Sequence, residues 1–350
     1  MSASSTWIFS KKVDLLTFGG SALASALLLV LGAGLGILHG DAPWWIWIGL
    51  VLWIDVSHVW STLFRVYFDP EERARRPFLY GGAPVLAYLF GLALYSESAL
   101  WFWRAIAYMA LFHFVKQQLG WLKIYQRNES ALAPASAKWD AFALLASMVF
   151  PIVYWHANLD TSPFAWMVKG DFVSVDGLVL AVAWPLYLFA MGSYLFRRGA
   201  ALLRQRPWSV GKDVLFGSTA FCWFAGIVWI GSDYAFTVTN IIIHGVPYLV
   251  LLFFYCRHRA KTSDGLGMRL GALSVWGFLW TVLVFAFLEE ALWDKLLWAD
   301  KAWLYGHAWE ISPWLQKTMA PLLAVPQITH YVLDGFIWRR KDNPTLEGFL

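Results

Sequence analysis

The sequence predicts an all-α, polytopic integral membrane protein of about ten transmembrane helices. Hydrophobic residues make up 59% of the chain and charged residues only 14%, whereas soluble domains carry about 25% charged residues. Apolar runs on the order of 20 residues, the length that crosses a bilayer, recur along the whole sequence. Ten such spans use roughly 200 residues, so we expect short loops and a single membrane domain, 1–350.

Hydropathy gives the position of each span and of two unusual loops. The segments 158–173 and 293–315 are expected to lie at the membrane interface, and the tryptophans of the second segment favour that position. The predicted spans lie near 14–38, 44–68, 77–96, 98–122, 138–157, 174–197, 211–231, 234–256, 270–292 and 316–338.

The basic residues predict the orientation of these spans. Every second loop is basic, from Arg73, Arg75 and Arg76 after the second span to Arg339, Arg340 and Lys341 after the tenth. Because cytoplasmic loops collect Lys and Arg, the pattern predicts that both termini are cytoplasmic. The net charge of +4 is therefore assigned to loops rather than to a nucleic-acid partner. We expect a multi-pass protein of a bacterial inner (plasma) membrane.

Four predicted spans carry a histidine within the apolar run, and ionisable residues in such places are functional candidates. These spans are all even-numbered, so they run from outside to inside. Each histidine precedes an arginine by 9 to 15 residues, which at about 1.5 Å per residue places all four roughly 14–22 Å above the cytoplasmic end. The histidines that share this layer are His58, His113, His244 and His330.

Carboxylates accompany two of these histidines at helical spacing. Asp55 lies three residues before His58, and Asp334 lies four residues after His330, so each pair shares a helix face. Helix bundles present metal ligands in this way. Gln117 and Asn240, each four residues from a histidine, are expected to fix an imidazole tautomer. The sequence therefore predicts a metal site, although each histidine alone could equally be an interhelical hydrogen-bond partner; the predicted ligands are Asp55, His58, His113, His244, His330 and Asp334.

The ligand types favour iron, as one ion or a pair, with zinc as the alternative. Apolar surroundings suit oxidative chemistry (hydroxylation, desaturation or oxygenation) on a lipid-like or apolar substrate that enters from the bilayer. An electron donor would be a separate protein. Tyr248 and Tyr331 are expected to donate protons or hydrogen bonds near the metal, and Arg65 to hold an anionic head group.

In ligand type and location, the set is similar to the membrane-embedded, histidine-rich iron enzymes such as fatty-acid desaturases and hydroxylases. The HxxxH and HxxHH boxes of those families are missing here, as is the HxxxH pair of the adiponectin-receptor and alkaline-ceramidase zinc hydrolases. Three other functions stay open. They are a zinc-dependent membrane hydrolase using the same site, a haem electron carrier with paired axial histidines, and a proton-coupled transporter with Asp55 and Asp334 as relay carboxylates.

Overall fold

The computed structural model describes residues 7–127, 134–160, 166–205, 208–263, 265–346 and 348–349. The protein is 81% helical, and the described ranges contain no strand. The all-α prediction is therefore confirmed. The long helices are α1 (Lys11–Gly34), α2 (Trp44–Arg65), α3 (Pro77–Glu97), α4 (Ala99–Arg127), α5 (Pro134–Ala157), α6 (Gly177–Leu203), α7 (Val210–Ile230), α8 (Asp233–Arg259), α9 (Val275–Trp298), α10 (Pro313–Leu323) and α11 (Val325–Ile337).

Eight of these helices are long and apolar enough to cross a membrane: α1, α2, α3, α5, α6, α7, α8 and α9. By length and composition they indicate a multi-pass membrane protein. In a bilayer a helix satisfies every backbone polar group internally, which is why apolar runs of this length adopt it. The number ten, the cytoplasmic termini and the bacterial inner membrane stay predictions.

The two remaining predicted spans correspond to helices that are too polar or too short to be counted among the eight. The span predicted at 98–122 falls in α4, whose Arg104, Lys116 and Lys123 lower its mean hydropathy. The span predicted at 316–338 is divided into α10 and α11 at Ala324. Pro326 is the cause, because proline has no N–H to donate to the preceding turn and its ring crowds that turn.

Polar side chains set several helix ends. The hydroxyl of Ser209 accepts the N–H of Lys212 at the start of α7, and the hydroxyl of Ser274 accepts the N–H of Gly277 at the start of α9. The helix α7 ends at Gly231, whose φ of 67° suits glycine. Because Ser274 caps α9, the helix that corresponds to the ninth predicted span begins at Val275 rather than at 270. A short helix (Leu266–Leu273) precedes it.

The chain forms two compact units. Unit 1 consists of Met1–Trp47 and Leu111–Pro247. Within it the hydroxyl of Tyr125 donates to the carboxylate of Asp14 at 2.8 Å, which ties α4 to α1. The buried ammonium of Lys212 and the guanidinium of Arg197 contact the two carboxylate oxygens of Asp140 at 2.7 and 2.6 Å. Buried charges are tolerated when they are paired in this way.

Unit 2 consists of Ile48–Ala110 and Tyr248–Leu350. Its histidine-bearing helices α2 and α11 are held by a small apolar core shared with α3 and the residue after α2. The buried members of this core are Val66, Tyr80, Ala83, Leu333 and Ile337. The core packs α11 against α3 and against Val66, which directly follows α2.

Helix burial differs sharply along the chain. In α8, 83% of the most apolar window is buried inside the protein, against 11% in α6 and 22% in α3. The helices α6 and α3 therefore leave most of their apolar side chains exposed, whereas most of the apolar window of α8 is buried. His244 and Tyr248 of α8 are among its buried residues.

The two loops predicted to be interfacial differ in how much of them is described. In 293–315, α9 extends to Trp298, and Trp303, Trp309 and Trp314 are exposed. In 158–173, residues 161–165 lie outside the described ranges, and the Asp171 carboxylate accepts the N–H groups of Trp166, Met167 and Val168. The interfacial position of both loops stays a prediction.

Candidate metal centre

In unit 2, His58, His330 and Tyr248 form a buried aromatic group. The ring centroids of His58 and His330 lie 4.9 Å apart, and the Tyr248 ring lies 5.8 Å from His58 and 5.2 Å from His330. Each of these residues is only 1% exposed. Two of the predicted ligand histidines are thus adjacent, and a predicted proton donor lies against both.

Asp55 lies beside His58. Its carboxylate oxygen Oδ1 is 3.6 Å from Nδ1 of His58, as the three-residue spacing predicts. At this distance the contact is electrostatic rather than a direct hydrogen bond. A carboxylate next to the Nδ1 of an imidazole favours a proton on that nitrogen, so Nε2 of His58 is the nitrogen best placed to bind a metal.

Asp334 accepts hydrogen bonds from two side chains. The Tyr248 hydroxyl donates to its Oδ1 at 2.9 Å, and the indole Nε1 of Trp338 donates to the same oxygen at 2.8 Å. His330, four residues earlier, places Nδ1 at 2.7 Å from the Thr62 hydroxyl. Tyr248 thus lies against both His330 and Asp334, which share a helix face. Neither Thr62 nor Trp338 was predicted from the sequence.

The other two predicted ligand histidines meet in unit 1. The ring centroids of His113 and His244 lie 5.0 Å apart, edge to face, and both residues are buried. The Phe114 ring stacks on His244 at 3.7 Å. Stacking fixes the plane of the His244 ring without engaging either ring nitrogen.

The two amides predicted to orient these histidines have different surroundings. Asn240 donates from Nδ2 to the Thr239 hydroxyl at 3.0 Å. Both amide atoms of Gln117 are buried and make no hydrogen bond within the described part of the chain. Gln118 donates to the Ile243 carbonyl at 3.1 Å and accepts from the Thr219 hydroxyl, although it was not predicted from the sequence. Its bond to the residue before His244 fixes the backbone there.

His58, His113 and His244 are all buried, and each offers one ring nitrogen as a ligand atom. This triad could hold a metal ion. Among the described residues, the group contains no Cys, Asp or Glu.

Tyr331 and Arg65 lie in different settings. The Tyr331 hydroxyl accepts a hydrogen bond from Gln327 at 2.8 Å, and its ring lies 5.8 Å from that of His330. Arg65 is fully buried and pairs with Glu72 at 2.9 Å. It also donates to the Tyr255 hydroxyl and the Ile337 carbonyl. Both terminal nitrogens of Arg65 are therefore used internally, and its contact with a substrate head group stays a prediction.

The ion pairs around Arg65 lie just beyond α2. Burial raises the pKa of Glu72, but the charge of Arg65 and the hydrogen bonds to the carboxylate outweigh it, so the pKa lies below 4.5. Burial likewise raises the pKa of Asp69, but its hydrogen bonds to Arg259 and Tyr255 lower this pKa by more than burial raises it. The pKa therefore lies below 3.8. Both groups are thus held as carboxylates that anchor the chain below the histidine layer.

Fold and site together define a multi-pass α-helical membrane protein with a buried three-histidine candidate metal centre. No family model, curated protein or solved structure matches the chain.

Proposed function

We propose that this chain is a membrane-embedded metalloenzyme whose ion is held by His58, His113 and His244. The observation that carries the proposal is a group of three buried histidines, on α2, α4 and α8, that could hold a metal ion. A histidine in the membrane interior has an energetic cost, and binding a common metal ion would offset that cost for all three.

The ligand types limit which metal ions the site can bind. Neutral imidazoles suit Zn, Cu, Fe and Ni, and buried Cys222 and Cys256 lie outside the group. Three imidazole ligands are the number that holds one catalytic zinc ion, and they would equally hold one ion here. His330 and Asp55, adjacent to His58, are the residues available for a second ion. We propose iron, which when bound would supply one-electron and O2 chemistry.

The surroundings support an apolar substrate and oxidative chemistry. Phe114 covers one face of His244, and α3 and α6 offer lipid-facing surfaces along which an apolar molecule travels. In the proposed reaction the protein excludes water, holds the substrate chain against apolar side chains, and keeps the Tyr248 hydroxyl beside His58 and His330 as a hydrogen-bond donor. Reducing electrons would come from a separate donor.

A zinc-dependent membrane hydrolase is the second candidate function. It is favoured by the donor set itself, because three histidines with an open fourth position are a known catalytic zinc arrangement. The two candidates share the same residues and differ in the ion.

Metal analysis of the detergent-purified protein tests the proposal. We expect about one metal ion per chain, lost when His58, His113 or His244 is replaced by alanine. His307, which is exposed, supplies the matched control, because His307→Ala should retain the metal. Iron supports the oxidative function and zinc the hydrolase. Wild-type protein that binds neither ion would refute both functions. A haem absorption band would indicate an electron carrier instead.

A further inference from the structure

The helix α4 carries a buried polar side chain at every fourth position along one stripe. His113, Gln117, Trp121 and Tyr125 follow one another at this spacing, and residues four apart are neighbours on a helix surface. All four are buried and belong to unit 1. From His113 to Tyr125 the helix rises about 18 Å, so this polar stripe leads a long way from a predicted metal ligand.

The two middle residues of the polar stripe have atoms that the protein does not satisfy. Neither amide atom of Gln117 nor Nε1 of Trp121 has a hydrogen-bond partner among the described residues. Gln117 is only 7% exposed and Trp121 only 2%. Buried polar groups are nearly always hydrogen bonded, and ordered water is the partner where the protein supplies none. An amide that donates and accepts, one turn from an indole that donates, suits water.

The packing around the stripe is otherwise close. The Phe18 ring lies edge-on against Trp121 at 5.4 Å. The neighbouring amide of Gln118 donates to the Ile243 carbonyl at 3.1 Å and accepts from the Thr219 hydroxyl at 3.2 Å. This part of the fold can therefore satisfy a buried amide, and the missing partners of Gln117 belong to the stripe rather than to loose packing.

The stripe ends beside the beginning of α1. The Tyr125 hydroxyl donates to the Asp14 carboxylate at 2.8 Å, so its oxygen remains free to accept another hydrogen bond. The same carboxylate accepts the backbone N–H groups of residues 8–10. Of these, Ser10 is exposed. The far end of the polar stripe therefore lies within a few residues of the protein surface.

We propose that the polar stripe holds a short file of water molecules, which connects the surface near Asp14 with His113. Each step of four residues rises about 6 Å, close to the span that one water bridges with two hydrogen bonds of about 2.8–3.0 Å. Water accepts the Trp121 N–H, donates to the Tyr125 oxygen, and does both with Gln117. The amide and the indole orient the waters, and protons pass between the waters themselves.

This inference deepens the proposed function and rests on it for its purpose. Hydroxylation of an apolar chain consumes protons: R–H + O2 + 2 H+ + 2 e− gives R–OH + H2O, with the electrons coming from the separate donor. Hydrolysis would instead consume water. Either reaction, carried out among apolar helices, needs a polar route to the histidines, and the stripe supplies one that ends on His113.

NMR of the metal-free, full-length protein in detergent tests for the water directly. Tryptophan labelled with 15N gives one signal for each indole N–H, and the Trp121→Phe spectrum assigns that of Trp121. We expect magnetisation transfer between this N–H and water. Buried Trp293, whose Nε1 donates to Glu289 at 3.2 Å, is the control indole and should show no transfer.

Two leucine variants separate the stripe from its neighbour. Gln117→Leu keeps a similar volume without polar atoms, so the folded protein should lose the water signal at Trp121. Gln118→Leu is the matched control. It should keep the water signal but lower the melting temperature more than Gln117→Leu does, because it removes two hydrogen bonds within the protein.

A wild-type Trp121 without water transfer, or an unchanged transfer in Gln117→Leu, would overturn the inference. A Trp121 signal that shows no water but shifts when dodecanol is added would also overturn it, because the stripe would then bind the polar end of a substrate. Hydrated Trp121 in protein that binds no metal would keep the water file and remove the proposed function. Dry Trp121 in protein that binds metal would remove the water file alone.

Discussion

The buried pair of Arg65 and Glu72 makes a quantitative prediction about what holds the base of the histidine layer. Both side chains are fully buried, and the guanidinium lies 2.9 Å from the carboxylate. Glu72→Gln keeps the shape of the side chain but removes its charge. Breaking a buried pair on one side leaves the other charge uncompensated, which costs about 3–5 kcal/mol. We therefore expect Glu72→Gln to lower the free energy of unfolding by this amount.

The neighbouring residue supplies a matched control. Glu71 pairs with Arg259 at 2.8 Å, but its side chain is 58% exposed, and exposed pairs contribute about 0–1 kcal/mol. Denaturant unfolding in a mild detergent, followed by tryptophan fluorescence, compares the two variants. The double variant Arg65→Met/Glu72→Gln should be less destabilised than the sum of its parts, because the second change removes the charge that the first leaves alone. A loss in Glu72→Gln no larger than in Glu71→Gln would refute this reasoning.

Two further predictions concern acid stability and helix packing. Because the folded pKa values of Asp69 and Glu72 are lowered, the stability that these groups contribute is present above their ordinary values and lost as pH falls through the folded ones. The melting temperature should drop below a pH of 4.5, less steeply in Glu72→Gln; an unchanged melting temperature would contradict the assignment. Gly32 lies where a Cβ would overlap the buried Tyr234 ring, whereas Gly34 has open space. Gly32→Ala should therefore cost about 1–3 kcal/mol and Gly34→Ala should be neutral or stabilising, so equal stability would contradict the close packing of α1.

Helix positions could be predicted from sequence because long apolar runs are recognisable from their hydropathy. Segments such as 77–96 and 211–231 match α3 and α7 almost residue for residue, since apolar length alone decides whether a helix can span. The misjudged boundaries have local causes. The last predicted span is divided by Pro326, and the ninth starts late because Ser274 caps a new helix. Such breaks depend on single residues, which an average over an apolar window conceals.

The site could be predicted only in part. Depth and helical spacing brought out His58, His113, His244 and His330 because each is a polar residue in an apolar run. Thr62 gave no such signal, since threonine is ordinary in an apolar helix. The hydrogen bonds of Asp334 also follow from the packing of α8 against α11, which spacing along one helix does not contain.

X-ray absorption at the metal edge of the purified protein tests the central claim most directly, because it reports the ligands themselves. The account predicts about three imidazole nitrogens around one ion, at about 2.0–2.1 Å if that ion is zinc, and no bound-metal signal in His113→Ala. A spectrum dominated by sulfur, or by oxygen alone, would contradict a centre built on His58, His113 and His244.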